Sequence, residues 1–206
     1  MSLDFITNIN IIFYIIAYVL GGIPFGVLLA KKFAGINVRE SGSKSIGATN
    51  VLRVVKEKDP KLAKNLSIAT LLFDALKGGV VIGIAMLFDV KEDTLWTIAV
   101  LSIMGHCWSP FLNFQGGKGV ATAIGTILVL APLEALVGVV VWLVLAKTLK
   151  ISSISSLSGV LAALISSFFI SPETAHAPFV IIGFIIFYKH IPNIMRLIKG
   201  EEKAVV

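Results

Sequence analysis

The chain alternates long apolar runs with short polar segments that carry nearly all of its charge. Residues 9–30 form a first apolar run of about 22 residues, enough to cross roughly 30 Å of hydrocarbon as a helix. Pro24 within it predicts a kink. A second run, residues 66–88, is interrupted near one end by Asp74 and Lys77, and residues 95–104 form a third. The stretch 120–149 reads either as one long helix or as two short ones hinged at Ala131-Pro132-Leu133-Glu134. Residues 154–170 and 178 onward complete the pattern. No signal peptide is expected: residues 1–10 lack a basic segment, and 9–30 exceeds an apolar signal core of about 7–15 residues. No internal repeat is visible, so an inverted-repeat transporter gains no support.

Charge placement orients these runs. Lys31, Lys32, Arg39, Lys44, Arg53, Lys56, Lys58, Lys61 and Lys64 are half of the 18 Lys and Arg residues. The positive-inside bias puts residues 31–64 in the cytoplasm and the N-terminus outside. Asp89-Val90-Lys91-Glu92-Asp93 then reads as external. If 120–149 is a hairpin, Lys147, Lys150, Lys189, Arg196, Lys199 and Lys203 all fall inside. The outer loops then keep Asp4, Asp89, Glu92, Asp93, Glu134 and Glu173 with only Lys91. The expectation is therefore an all-α integral membrane protein of seven helices, some short or broken, with its N-terminus outside and its C-terminus cytoplasmic. Residues 120–131, about 18 Å long if helical, cannot cross alone. The glycine-rich loop before them must dip into the membrane. Irregular backbone survives there only beside protein or a wet cavity, so a polar pocket facing the cytoplasm is expected, lined by this loop and by residues 41–53.

Composition agrees: 56% of residues are hydrophobic and mean hydropathy is +0.92, against an apolar share of about 45–50% in soluble domains. The formal charge of +6 is explained by position, without a nucleic-acid partner. The single cysteine, Cys107, excludes an intrachain disulfide. His106 and Cys107 are too few for a metal site, and no cofactor is expected.

Four polar stretches are candidates for chemistry. Residues 41–53, S-G-S-K-S-I-G-A-T-N-V-L-R, favour loop over helix at this density of glycine and serine, and offer N–H and hydroxyl donors to an anion. Arg53 adds a guanidinium that grips phosphate. The plainer alternative is a loop capping the next helix through Ser45 or Thr49. Asp74 and Lys77 lie at i, i+3, as a structural ion pair or as part of a site. Gln115-Gly116-Gly117-Lys118-Gly119-Val120-Ala121-Thr122 sets a glycine cluster and a lysine at a helix start, which cradles phosphate. It is not a P-loop, and a tight turn is the alternative. His106 reads as hydrogen-bonded scaffold. Ser152 and Ser153 read first as helix caps and otherwise as anion contacts. His190, Asn193 and Arg196, spaced i, i+3, i+6, share roughly one helix face, with interfacial anchoring as the alternative. Pro192 fits near a helix start.

Three phosphate-competent loops on one membrane face point to a phosphorylated, water-soluble substrate meeting a lipid one. No Ser-His-Asp set or carboxylate pair is legible. The ordered motifs G-S-x-x-x-G-A-T-N-x-x-R, D-x-x-K-G, G-H…P-F…F-x-G-G-K-G-V-A-T and H-x-x-N-x-x-R-L-x-x-G-x-E strongly resemble the bacterial acyl-phosphate:glycerol-3-phosphate acyltransferase family over residues 22–201. The resemblance implies transfer of a fatty acyl group from acyl phosphate to the 1-hydroxyl of sn-glycerol 3-phosphate, giving lysophosphatidate and phosphate in phospholipid synthesis. It implies a multi-pass protein of the bacterial inner membrane, one domain over residues 1–206, with its active site facing the cytoplasm and no obligate protein partner. By position it implies catalytic roles for Ser43, Arg53, His190 and Asn193. Substrate contacts fall to Gly42, Thr49, Asn50, Lys77, Gly116, Gly117, Lys118, Gly119 and Ser153, and a structural acidic role to Glu201. Where the family reads G-S-G-N, this chain has Gly42-Ser43-Lys44-Ser45. A membrane carrier for an organic phosphate is the competing class.

Overall fold

A computed structural model describes residues 8–202 and 204. The charge placements for Asp4 and Lys203 lie outside the described residues. All regular structure among the described residues is helical: α1 (Ile9–Gly21), α2 (Phe25–Ala34), α3 (Ala48–Lys56), α4 (Pro60–Met86), α5 (Glu92–Cys107), a 3₁₀ turn (Pro110–Leu112), α6 (Val120–Leu130), α7 (Pro132–Thr148), α8 (Ser152–Ile170), α9 (Ala177–Lys189) and α10 (Ile191–Ile198). Four stretches, Ile9–Ala34, Pro60–Met86, Glu92–Leu112 and Ser152–Ile170, are long and apolar enough to cross a membrane. The pair α9 and α10, bent by 58°, makes up to five. A count of seven additionally needs α6 and α7, of 11 and 17 residues.

The chain divides into two compact units between Leu130 and Ala131. In the first, α4 packs on α1, α2, α3, α5 and α6. Between helices in lipid, close approach rather than water exclusion holds the bundle, so small residues mark the crossings. A methyl on Gly125 of α6 would strike the Ala75 carbonyl of α4, and one on Gly21 of α1 would strike the Ser102 backbone of α5.

Pro24 does break the first run, and α1 and α2 are separate helices there. The break strands carbonyls that a continuous helix would satisfy, a costly defect where water is scarce. The Ser109 hydroxyl donates to the Gly22 carbonyl at 2.6 Å, and the Lys77 ammonium to that of Ile23 at 2.9 Å.

Residues 41–53 correct one expectation. Irregular backbone holds only to Gly47, and α3 then starts at Ala48 without a side-chain cap from Ser45 or Thr49. Once the glycines and serines end, Val51, Val54 and Val55 make an apolar face. Val51 and Val55 join Ala30, Ala34, Val38, Ala63 and Leu66 in one core. Burial of that face outweighs the modest helix propensity of valine. The second span also starts earlier than its apolar window, because Asp59 caps α4 through the Leu62 N–H at 2.9 Å and Pro60 takes the first position.

In the second unit α7 and α8 cross at Gly138 and Gly159, each facing the other's carbonyl. α8 packs on α9, which continues into α10 through His190. Pro192 sits in the first turn of α10, where its missing N–H leaves no bond unmade.

Candidate functional site

In the first unit, one amide organises the loop that carries Ser43. Asn50 is 1% exposed. Its Oδ1 accepts the Ser43 N–H at 2.8 Å, while Nδ2 donates to the carbonyls of Val38 and Ser45 at 2.8 Å and of Ser41 at 3.2 Å. Expected to touch substrate, Asn50 instead has its amide consumed by the loop. Gly42 closes over it at φ +62°, where any side chain would meet Asn50 and Val54. The Ser43 side chain is exposed and Arg53 half-buried, so both remain accessible to a ligand. Thr49 is half-buried in the first turn of α3.

The glycine-rich loop is gripped by His106. Gly117 donates its N–H to the His106 carbonyl at 3.0 Å. A methyl on Gly116 would strike that same carbonyl, and one on Gly117 would fall on the Nε2 edge of the imidazole. Gly119, at φ +84°, turns the chain into α6. Residues 116–119 thus lead straight into a helix N-terminus, with Lys118 half-buried beside it. Free N–H groups and the helix dipole there favour an anion. Arg39 joins the two loops, donating from Nη2 to Gln115 Oε1 at 3.1 Å. The sequence made both loops polar but gave no sign of this pair.

Beneath the glycine-rich loop lies a sealed polar node. Lys77 Nζ donates to Asp74 Oδ1 at 2.8 Å and to the Ile23 carbonyl at 2.9 Å, and lies 2.9 Å from His106 Nδ1. An ammonium has three protons and no lone pair, so His106 Nδ1 accepts and all three protons are used. Asp74, Lys77 and His106 are 1%, 7% and 3% exposed. The three ammonium protons of Lys77, a residue expected to contact substrate, are all taken by groups of the protein. His106 is scaffold, as expected.

In the second unit the acidic centre is Glu202. Its Oε1 accepts from the Ser153 hydroxyl at 2.9 Å and from Asn193 Nδ2 at 2.6 Å, and its Oε2 from Arg196 Nε at 2.7 Å. Burial alone raises the Glu202 carboxyl, but these hydrogen bonds and the Arg196 charge outweigh it and leave the group below its ordinary value. The structural acid expected at Glu201 is thus its neighbour, and Glu201 is exposed. The spacing H-x-x-N-x-x-R-L-x-x-G-x-E, counted from His190, itself ends on Glu202. Ser153 is not a helix cap, since Ile151 holds the cap position without a side-chain bond. His190 is 2% exposed, at the joint of α9 and α10. Its Nδ1–H donates to the Ile186 carbonyl at 2.7 Å. In the neutral ring that bond makes Nε2 the basic nitrogen.

Comparison with known proteins gives one result throughout. The sequence profile of the family described as glycerol-3-phosphate acyltransferase matches residues 11–200. A glycerol-3-phosphate acyltransferase of Nitratiruptor sp. is 59% identical over 98% of this chain and 99% of its own. One of Sulfurimonas denitrificans is 57% identical over 99% of this chain and 100% of its own. The crystal structure of PlsY, an integral membrane glycerol 3-phosphate acyltransferase, matches in its glycerol 3-phosphate form with a TM-score of 0.81 at 31% identity, covering 96% of each chain. Its lysophosphatidic acid form matches with a TM-score of 0.80 at 32% identity, over 96% of this chain and 95% of the other.

Proposed function

The chain belongs to the glycerol-3-phosphate acyltransferase family, and from that premise we propose that its acyl donor is an acyl phosphate. It is an integral membrane enzyme of lipid synthesis. The acceptor is the 1-hydroxyl of sn-glycerol 3-phosphate and the products are lysophosphatidate and phosphate. The whole chain, residues 1–206, acts as one acyltransferase domain of seven spans in the bacterial inner membrane, N-terminus outside, with its polar loops and C-terminus cytoplasmic. The observation that carries this reading is the pair of loops joined by Arg39 and Gln115, one ending at a helix N-terminus beside Lys118.

The glycerol oxygen attacks the acyl carbonyl carbon, the carbon–oxygen bond to phosphate breaks, and phosphate leaves with the bonding pair. Acyl phosphate is already activated, so orientation and charge neutralisation supply most of the acceleration. Arg53 and Lys118 hold phosphate groups, assisted by the N–H groups of Gly42, Gly116 and Gly119 and by Thr49, while Gly117, expected to contact substrate, spends its N–H on the His106 carbonyl and shapes the loop. His190, through Nε2, orients the acceptor or relays its proton to a phosphate oxygen. Asn193 is the polar partner of His190 in that motif, held through Glu202 together with Ser153. Ser43 contacts the donor without becoming acylated.

Purified protein in detergent, given palmitoyl phosphate and glycerol 3-phosphate with neither CoA nor metal, is expected to form lysophosphatidate. Ser43→Ala and His190→Ala are expected to abolish it while keeping the fold. No product from folded protein across several acyl lengths overturns the reaction, and uptake of glycerol 3-phosphate into sealed vesicles without donor would identify a carrier. A stoichiometric burst of phosphate from enzyme and donor alone, with acyl group on Ser43, overturns direct transfer.

A further inference from the structure

The Asp74, Lys77 and His106 node lies outside the reaction just described, yet all three of its side chains are buried and joined through Lys77. Stability alone does not account for it. A buried ion pair stabilises little over an apolar pair of the same volume, and ionised groups inside a membrane bundle are expensive to keep. The node instead has a direction. Lys77 is fixed by Asp74 and by the carbonyl at the break between α1 and α2. It leaves its third proton for His106 Nδ1, which sets the rotation of the imidazole. The opposite edge of that ring fills the place of a Gly117 side chain, while the His106 carbonyl takes the Gly117 N–H. One residue therefore grips Gly117 by ring and main chain together, and the next two residues are Lys118 and Gly119.

We propose that Asp74, Lys77 and His106 are positioning residues for glycerol 3-phosphate: the imidazole, locked by Lys77, sets the path of residues 116–119 and so the aim of the Gly116 and Gly119 N–H groups and of Lys118 at the acceptor's phosphate. The inference rests on the reading of residues 116–119 as the acceptor's phosphate loop. A misplacement of the loop weakens acceptor binding and leaves donor binding alone, which separates positioning from a general structural role.

His106→Asn tests it, because the asparagine Oδ1 reaches the place of Nδ1 and still accepts from Lys77, while nothing replaces the Nε2 edge. The expected result is a rise of about tenfold in KM for glycerol 3-phosphate at saturating palmitoyl phosphate, with KM for the donor within about twofold. Gly117→Ala disturbs the same contact from the other side and is expected to do likewise. Folded single variants with unchanged acceptor KM overturn the proposal, as does an equal rise in both KM values. If the single variants fail to fold, Asp74→Asn with Lys77→Met removes both charges together and strands neither. It frees the imidazole and is expected to raise the acceptor KM; an unchanged KM in that folded protein overturns the proposal equally. Transfer by the wild type with unaffected variants defeats the positioning role alone, whereas no transfer by the wild type defeats the function and the positioning role with it.

Discussion

Asn50 holds Ser43 by the backbone, not by the hydroxyl: its Oδ1 accepts the Ser43 N–H at 2.8 Å while its Nδ2 donates to three carbonyls of the same loop. The serine hydroxyl is left exposed at the tip of a loop fixed from within.

Asn50→Ala should therefore affect the reaction without touching substrate. It removes the loop's internal partner and strands buried backbone groups, at a cost of about 1–3 kcal/mol each. The expected outcome is a lower thermal midpoint and a fall of roughly a hundredfold in kcat/KM, about 2.7 kcal/mol in transition-state binding. Asn50→Asp keeps the acceptor for Ser43 but loses both donors, and is expected to fare no better. A variant as active and stable as wild type would show that the loop holds its shape without this amide.

Lys44 stands where the family pattern has glycine, and the backbone explains the preference: its φ is +57°. A left-handed conformation costs an L-residue roughly 1–2 kcal/mol, offset in part by the extra freedom a glycine gains on unfolding. Lys44→Gly is expected to leave the melting temperature unchanged or higher, while Lys44→Val lowers it. Lys44 is exposed, so the KM for either substrate should stay within about twofold of wild type, a difference of about 0.4 kcal/mol. A several-fold rise in KM with Lys44→Gly would mean that the lysine charge reaches a phosphate.

Much of this arrangement is legible in sequence because a membrane imposes simple rules on composition. The apolar runs and the break at Pro24 follow from length and from proline's missing N–H, and the split at Ala131 from the charge placement that favours a hairpin. The glycine-rich loop leading into α6 was legible for the same kind of reason. The helix α3 was not, since its short valine face gains its stability from a core formed with α2 and α4, and no local preference announces that. Nor was the engagement of Lys77: spacing pairs it with Asp74, but the carbonyl of Ile23 and the ring of His106 come from distant stretches. Glu202, by contrast, was legible, since the motif that starts at His190 ends on it and not on Glu201; three donors, two on α10 and one on α8, meet there.

Two glycines in the membrane helices should behave oppositely. Gly125 of α6 lies against the Ala75 carbonyl of α4, where a methyl has no room, whereas a methyl on Gly83 of α4 meets nothing within 4 Å. Gly125→Ala forces the helices apart, and overpacking of this kind costs about 1–3 kcal/mol. Gly83→Ala removes backbone freedom from the unfolded chain and gains up to about 1 kcal/mol. Melting in one detergent should fall for the first and hold or rise for the second. Equal tolerance of both substitutions would mean that the α4 and α6 crossing is looser than this contact implies.

Glu202 gives the second unit a definite pH response. Its carboxyl lies below the ordinary glutamate value because Asn193, Arg196 and Ser153 donate to the ionised form, against the opposing effect of burial. A group whose pKa falls on folding contributes stability that is fully present above its unfolded value, about 4.3 for glutamate. That contribution is lost as pH drops through the lower folded value. Glu202→Gln retains an acceptor for Ser153 or Asn193, but its amide nitrogen cannot accept from Arg196. Wild type should therefore melt above Glu202→Gln at neutral pH, by a margin that stays constant down to about pH 5 and closes as pH falls further. Melting curves of the two proteins between pH 3 and 8 check this; a margin that persists undiminished at pH 3, or vanishes above pH 5, would mean that another group governs the response.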